Sequence, residues 1–204
     1  MAGNLSLVEG ASGGGASKVA MVCTMGIKVA KYSINSDKTR LELDSHTGTT
    51  VVGKVCLMVH DFDRPVNVTG YDPEDGSKVC QTVKGVLAYD KRQTGKPYFM
   101  IINQAIHLDH LRHHLMFPMH CRTNAIKINE TTKYKSKPPD ESTHALKVED
   151  PSDEEGGMIT ITFQFSKVTS YFTLQEPTKA EWEDDLIKRI EFTAEDPVWD
   201  RTSS

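Results

Sequence analysis

The chain has 204 residues, of which 38% are hydrophobic and 25% charged, and it carries a formal net charge of −4. That length suits one domain with appendages, and the slightly acidic balance excludes a global attraction to nucleic acid or to an anionic membrane. A mean hydropathy of −0.43, with no apolar run of membrane-spanning length, excludes a membrane span read from the sequence.

Cys23, Cys56, Cys80 and Cys121 are widely spaced and include no Cys-x-x-Cys pair. This argues against a zinc ribbon or knuckle and fits a reducing compartment. The N-terminus has neither the basic nor the apolar region of a secretory signal. The expectation is a soluble, cytoplasmic chain.

Residues 1–18 are rich in Gly, Ala and Ser; such a segment cannot repay its ordering entropy and reads as a flexible lead-in. Apolar residues return from Val19 to Ile34 as one or two strands broken at Gly26, followed by a turn at Ser36-Asp37-Lys38. Leu41 and Leu43 then alternate with Glu42 and run into Asp44. After the small and polar residues Ser45 to Thr50, Val51-Val52-Gly53 resumes the apolar run. This pattern is a half-buried strand delivering a carboxylate into a tight turn near the core. An unpaired charge there is expensive, so Asp44 needs partners. Taken alone, it reads as an Asx-turn residue at a strand end.

Val55 to Val59 and Val66 to Val68 are short apolar runs. Tyr71, Asp72, Pro73, Glu74, Asp75 and Gly76 form a dense turn signal, and Val79, Gln81 and Val83 alternate on the return as far as Gly85. A protruding hairpin is expected, tipped near Pro73 to Gly76. A second hairpin joins Val86–Tyr89 to Tyr98–Ile102 through a turn at Asp90 to Gly95.

Asn103 to Arg122 carries His107, His110, His113, His114 and His120-Cys121. On a helix His110 and His114 would share a face, as zinc ligands often do. His-Glu-x-x-His is absent, however, and Leu108, Leu111, Leu115 and Met116 describe a packed segment with its histidines on the wetter side. A zinc-binding protein built on His107 to Cys121 is therefore the weaker alternative, and no metal site is assigned. Residues 131–157, basic from Lys133 to Asp140 and acidic from Val148 to Gly157, read as a solvated, charged linker. Met158 to Phe165 alternates as the clearest strand in the chain, with Val168 to Leu174 as its partner. Thr178 to Glu181 is a capping box, and Trp182, Leu186 and Ile190 give a short amphipathic helix over Lys179–Ile190.

Asp44-Ser45, the apolar runs around them and the order of the parts after them resemble the active-site turn of retropepsins, the aspartic proteases of retroviruses and retrotransposons. His46 stands where that family usually has Gly, and Thr47 where it usually has Ala. Asn103, Ile106, Leu108, Leu111, Leu115 and Met116 match the apolar slots of the copia-type retrotransposon protease. Within that group, the resemblance is to a diverged subgroup whose turn reads Asp-Ser-His-Ala-Asp-Thr. Asp44, Ser45, His46 and Thr49 fit it, while Thr47 and Gly48 depart from it.

The resemblance implies a mostly β, acid-protease-like closed barrel with one or two short helices. The protease domain would occupy residues 19–130, and residues 158–204 would be a family-specific strand and helix extension. Asp44 would be the catalytic carboxylate, with Ser45, His46, Thr47 and Gly48 supporting its turn. Tyr71 to Gly76 would form a flap over a polypeptide substrate. Such chemistry needs two carboxylates sharing one proton. The anion draws a proton from a bound water, and the neutral partner donates to the developing oxyanion. No second such turn occurs in the chain, so the implied enzyme is a symmetric homodimer with Asp44 from each subunit on the two-fold axis. The turn at Ser45 would brace its mate, and the ring of His46 would hydrogen-bond the carboxylate, upsetting the shared proton unless the ring stays neutral. The implied role is cleavage of a retrotransposon polyprotein, including inside virus-like particles, with no cofactor and no direct binding of nucleic acid. The competing class is an inactive, retroelement-derived binding or dimerisation module.

Overall fold

The computed structural model describes residues 19–21, 39–69, 77–90, 97–140, 142–150, 157–166 and 168–195. The expected lead-in up to residue 18, the run from Val22 to Ile34, the turn at Ser36-Asp37-Lys38 and the turn core at 91–96 lie outside the described residues. Among those residues the first half of the chain gives β1 (Val19–Met21), β2 (Thr39–Leu43), β3 (Val51–Gly53), β4 (Leu57–Thr69), β5 (Ser77–Asp90), β6 (Pro97–Leu108) and β7 (His114–Met116). The second half gives α1 (Pro118–Thr123), β8 (Lys127–Asn129), β9 (Ala145–Glu149), β10 (Met158–Thr162), β11 (Gln164–Ser166), β12 (Thr169–Leu174), α2 (Lys179–Trp182) and β13 (Lys188–Glu191). The fold is mostly β, as the alternating apolar pattern predicts.

Nine strands lie side by side in the order β1-β4-β5-β6-β3-β7-β2-β12-β11, and β13 joins β6. The long strand β6 makes this possible. Its one edge pairs with β5 from Asp90↔Pro97 to Thr82↔Ile106. Its other edge is divided, with β13 parallel to Tyr98–Ile101 and β3 parallel to Ile106–Leu108.

The expected barrel is not closed among the described residues: the ladder is an open path ending at β1 and β11. Among the described residues one isolated bridge links its two halves, Ala88↔Gln175, where the Gln175 N–H donates to the Ala88 carbonyl at 2.9 Å. Pro177, two residues on, has no N–H to extend the ladder, and the chain then turns into α2.

Where the sequence suggests separate short strands around Val55–Val59 and Val66–Val68, β4 is continuous and bends at irregularities between Met58 and His60 and between Asp61 and Pro65. Asp63 takes a φ of 51° within the second of these. The return strand does not stop at Gly85. A Cβ there would lie 2.5 Å from the Cys56 Sγ, so glycine is what lets β5 cross the Cys56 thiol and run on.

The C-terminal third departs furthest from expectation. One buried cluster runs from Leu41 through Met100, Leu146, Ile159 and Phe172 to Phe192, so the boundaries at 130 and 157 do not divide the core. The expected linker contains β9, the central strand of a three-stranded sheet ordered β10-β9-β8, with Leu146 and Val148 buried. The clear strand at Met158 to Phe165 is split at Phe163, whose N–H donates to the His144 carbonyl at 2.9 Å. β10 stays with β9, and only β11 pairs with β12. The capping box at Thr178 and Glu181 forms, but the helix spans Lys179–Trp182 and not Lys179–Ile190. Its next residues are the three carboxylates Glu183-Asp184-Asp185, and Asp184 Oδ1 accepts from the Leu186 N–H to make a turn. Leu186 is left exposed, whereas Ile190 enters the core from β13. A strand slot beside β6 buries Ile190, and that outweighs a helical period the chain could satisfy only at the surface.

Candidate functional site

Asp44 stands at the end of β2, where the strand leaves the sheet. β2 is central, flanked by β12 on one side and by β7 on the other, with Leu41↔His114 and Leu43↔Met116 in register. The Asp44 N–H continues that ladder by donating to the Met116 carbonyl at 3.0 Å. The chain then turns and returns as β3, which lies between β6 and the other edge of β7. Both limbs of the turn are thus fastened to β7, and the carboxylate is carried at the mouth of the loop they form.

Within the turn, Asp44 Oδ1 accepts from the His46 N–H at 2.9 Å, and the Thr47 Oγ1 donates to the Asp44 carbonyl at 2.9 Å. The first bond is an Asx-turn. The expected contact from the His46 ring is longer, with Nδ1 3.6 Å from Oδ1, and the ring is largely exposed. The Asp44 side chain is 20% exposed, and no bond to its Oδ2 occurs among the described residues. Thr47 and Gly48, the two departures from the subgroup pattern, are both buried, and Ser45 is exposed. His46 is not among the residues with positive φ, so the imidazole occupies the usual glycine position without backbone strain.

Supports that the sequence reading did not single out complete the turn. Thr50, 1% exposed, gives its carbonyl to the Ile106 N–H at 3.0 Å. Its hydroxyl accepts from the Phe117 N–H at 3.3 Å and lies 3.3 Å from the His120 Nδ1 on α1. At Gly53 a Cβ would lie 2.5 Å from the Leu111 carbonyl oxygen and 2.7 Å from that of His113. Only glycine lets the 109–113 turn pass so close. The Gly53 N–H consequently reaches the His114 Nδ1 at 3.0 Å.

The histidines do not sit on a helix, because Asn103 to Leu108 is strand and His114 to Met116 is strand again. His110 is exposed beside Asp109, and His107 is half-buried. His114 contradicts the expectation of a wetter side, for it is 0% exposed. Burial, then the nearby His113 and His107, push its ring from 6.5 down to about 3. Burial lowers His113 as well, assisted by Arg40. The His114 Nδ1 therefore works as a neutral acceptor, and the signal for it was its place in step with Met116 along a period of two. Among the described residues, no three His, Cys, Asp or Glu side chains gather where they could hold a metal ion.

The flap residues Tyr71, Asp72, Pro73, Glu74, Asp75 and Gly76 lie outside the described residues. The strands leading to them are β4 and β5, which go on pairing beyond the last β5–β6 rung, from Pro65↔Gln81 to Thr69↔Ser77. Val68 and Cys80 on this ribbon pack with Val51, Ile106 and Leu108, so its base shares a cluster with the strand leaving the Asp44 turn. No helix among the described residues is long and apolar enough to cross a membrane. Comparison with protein-family models, with curated proteins and with solved structures gives no match to this chain.

Proposed function

We propose that the chain is a retropepsin-like aspartic endopeptidase of a copia-type retrotransposon polyprotein, acting as a homodimer with Asp44 from each subunit. The observation that supports it is the suspension of the Asp44 turn, both limbs held by β7 and the carboxylate partly open between exposed Ser45 and His46. A carboxylate so placed is fixed in position yet reachable by a second copy. Two of them a few ångströms apart cannot both ionise, which leaves one to activate water and the other to hydrogen-bond the substrate carbonyl. The Thr47 hydroxyl and the Met116 carbonyl hold the backbone of Asp44, so its side chain alone adjusts to substrate.

The test is the Asp44→Asn variant. Pepstatin-sensitive cleavage of a peptide at acidic pH by the native chain, lost in the variant while its circular dichroism and sedimentation stay unchanged, is the expected result. Cleavage retained by Asp44→Asn rejects the assignment. One observation favours a second reading, a retropepsin-derived module that dimerises without catalysis: the Asx-turn already occupies Oδ1. That reading expects the same sedimentation and no cleavage by either protein.

A further inference from the structure

The outer face of the three-stranded sheet carries an arrangement that the Asp44 reading does not use. Lys127 and Lys147 are direct cross-strand partners on β8 and β9, and like charges so placed repel. They share a face because Ile128 and Leu146, the next rung, point inward, Leu146 being fully buried. The loop after β8 stands at the end of this face. Asn129 ties both of its ends, Oδ1 accepting from the Thr131 N–H and Nδ2 donating to the Ser142 carbonyl, each at 2.9 Å.

The loop is built on hydrogen bonds. The Lys135 N–H donates to the Thr132 carbonyl at 2.9 Å, and the Asp140 N–H donates to the Thr143 hydroxyl at 3.0 Å. Its tip presents Lys133, Tyr134 and Lys135, with Lys137 following, and Tyr134 is 85% exposed. None of these five lysines is in an ion pair among the described residues. Of the acids near them, Glu130 pairs with Arg122 at 2.9 Å and Asp140 binds Ser142 and Thr143, while Glu149 stands exposed two residues beyond Lys147 on the same face.

We propose that this face binds single-stranded nucleic acid, the lysines of the β8–β9 rung and of the loop taking phosphates while Tyr134 stacks on a base. Cations flanking one exposed ring, Lys133 and Lys135 on either side of Tyr134 in a hydrogen-bonded loop, are the combination that single strands require. It departs from the expectation, drawn from net charge, that the chain has no such partner. Segregation explains the departure, because the total of −4 conceals a local excess of cations. The inference is independent of the role given to Asp44.

The experiment is fluorescence anisotropy of the full chain with a fluorescein-labelled single-stranded RNA of about 16 nucleotides. With five lysines on phosphates, affinity should fall about 100-fold between about 50 and about 200 mM salt, a log–log slope near −3.5. Replacing Lys133, Lys135 and Lys137 by Gln should flatten that slope to about −1.4. Tyr134→Ala should weaken binding about 5- to 150-fold and leave the slope unchanged. All four changes are at exposed positions, and far-UV circular dichroism checks that each variant stays folded. No binding at low salt overturns the proposal. So does equal affinity of native chain and Tyr134→Ala, which would make the face a general polyanion surface. Binding to phosphatidylserine vesicles with none to the RNA would reassign it to a membrane.

Discussion

Replacing His114 by Asn tests how the Asp44 turn is held. The ring is fully buried and accepts from the Gly53 N–H at 3.0 Å. The unfolded chain takes up a proton near 6.5, while the folded chain refuses it until about 3. Between those values the unfolded state holds more protons, so stability is complete above 6.5 and drains away as pH falls toward 3. The loss is about 1.4 kcal/mol per pH unit and about 5 kcal/mol over the whole span. A domain has about 5–15 kcal/mol in all, so this one ring can set the acid limit. An Asn amide oxygen can take the place of Nδ1 and does not titrate. Urea unfolding followed by tryptophan fluorescence at pH 7 and pH 4.5 should show the native chain losing about 3 kcal/mol more than His114→Asn between the two. The variant should start about 1–2 kcal/mol lower at pH 7, because a smaller side chain leaves space behind. His114→Leu, which leaves the Gly53 N–H without an acceptor, should cost about 1–3 kcal/mol at pH 7. Parallel acid losses in the native chain and His114→Asn would refute the reasoning.

Gly53→Ala should destabilise by at least about 1–3 kcal/mol in thermal unfolding, because the new methyl meets two backbone carbonyls and not a movable side chain; an unchanged melting temperature would count against the close approach of the 109–113 turn. Burial pushes the Cys56 thiol up to about 12, so this cysteine should resist iodoacetamide at pH 8 in the folded chain and react once urea unfolds it, as peptide mapping would reveal. Removing residues 158–204 strips Ile159, Ile161, Phe163, Phe172, Leu174, Ile190 and Phe192 from the shared core. At about 1.5–3 kcal/mol each that is about 10–21 kcal/mol, as much as or more than the about 5–15 kcal/mol of a whole domain, and the shortened chain should show no cooperative unfolding transition.

What was legible in the sequence was what depends on neighbours along the chain. Leu41-Glu42-Leu43 gave a strand because its alternation matches the burial of β2, and Thr178 with Glu181 gave a helix start because a capping box spans only three residues. What was hidden depends on partners far away. Trp182, Leu186 and Ile190 satisfy a helical period as well as any real helix, yet Ile190 answers to Met100 across a parallel pair. The charged residues of 131–157 disguise β9, whose Leu146 is buried by strands on both sides. At the site, Asp44 was legible because an acid between apolar runs is costly wherever the chain folds. His114 was missed because three residues in step with a period of two, His114 to Met116, are too short a run to outweigh the surrounding histidines.

The two halves of the site pull in opposite directions along the pH scale. A proton shared between carboxylates favours acid conditions, and on the proposed reading the Asp44 pair works there. The turn that carries Asp44 is nevertheless fixed to Met116, two residues from the His114 ring that acid unseats. On the proposed reading, binding a second copy would relieve this tension, because anything that binds only the folded chain adds to its stability by mass action. A dimer formed through the Asp44 turns would therefore extend the folded range toward acid as protein concentration rises. The C-terminal strands serve the same end from the other side, since β12 covers the edge of β2 that β7 leaves open. Asp44 thus leaves a strand flanked by β7 from the middle of the chain on one side and by β12 from its C-terminal third on the other.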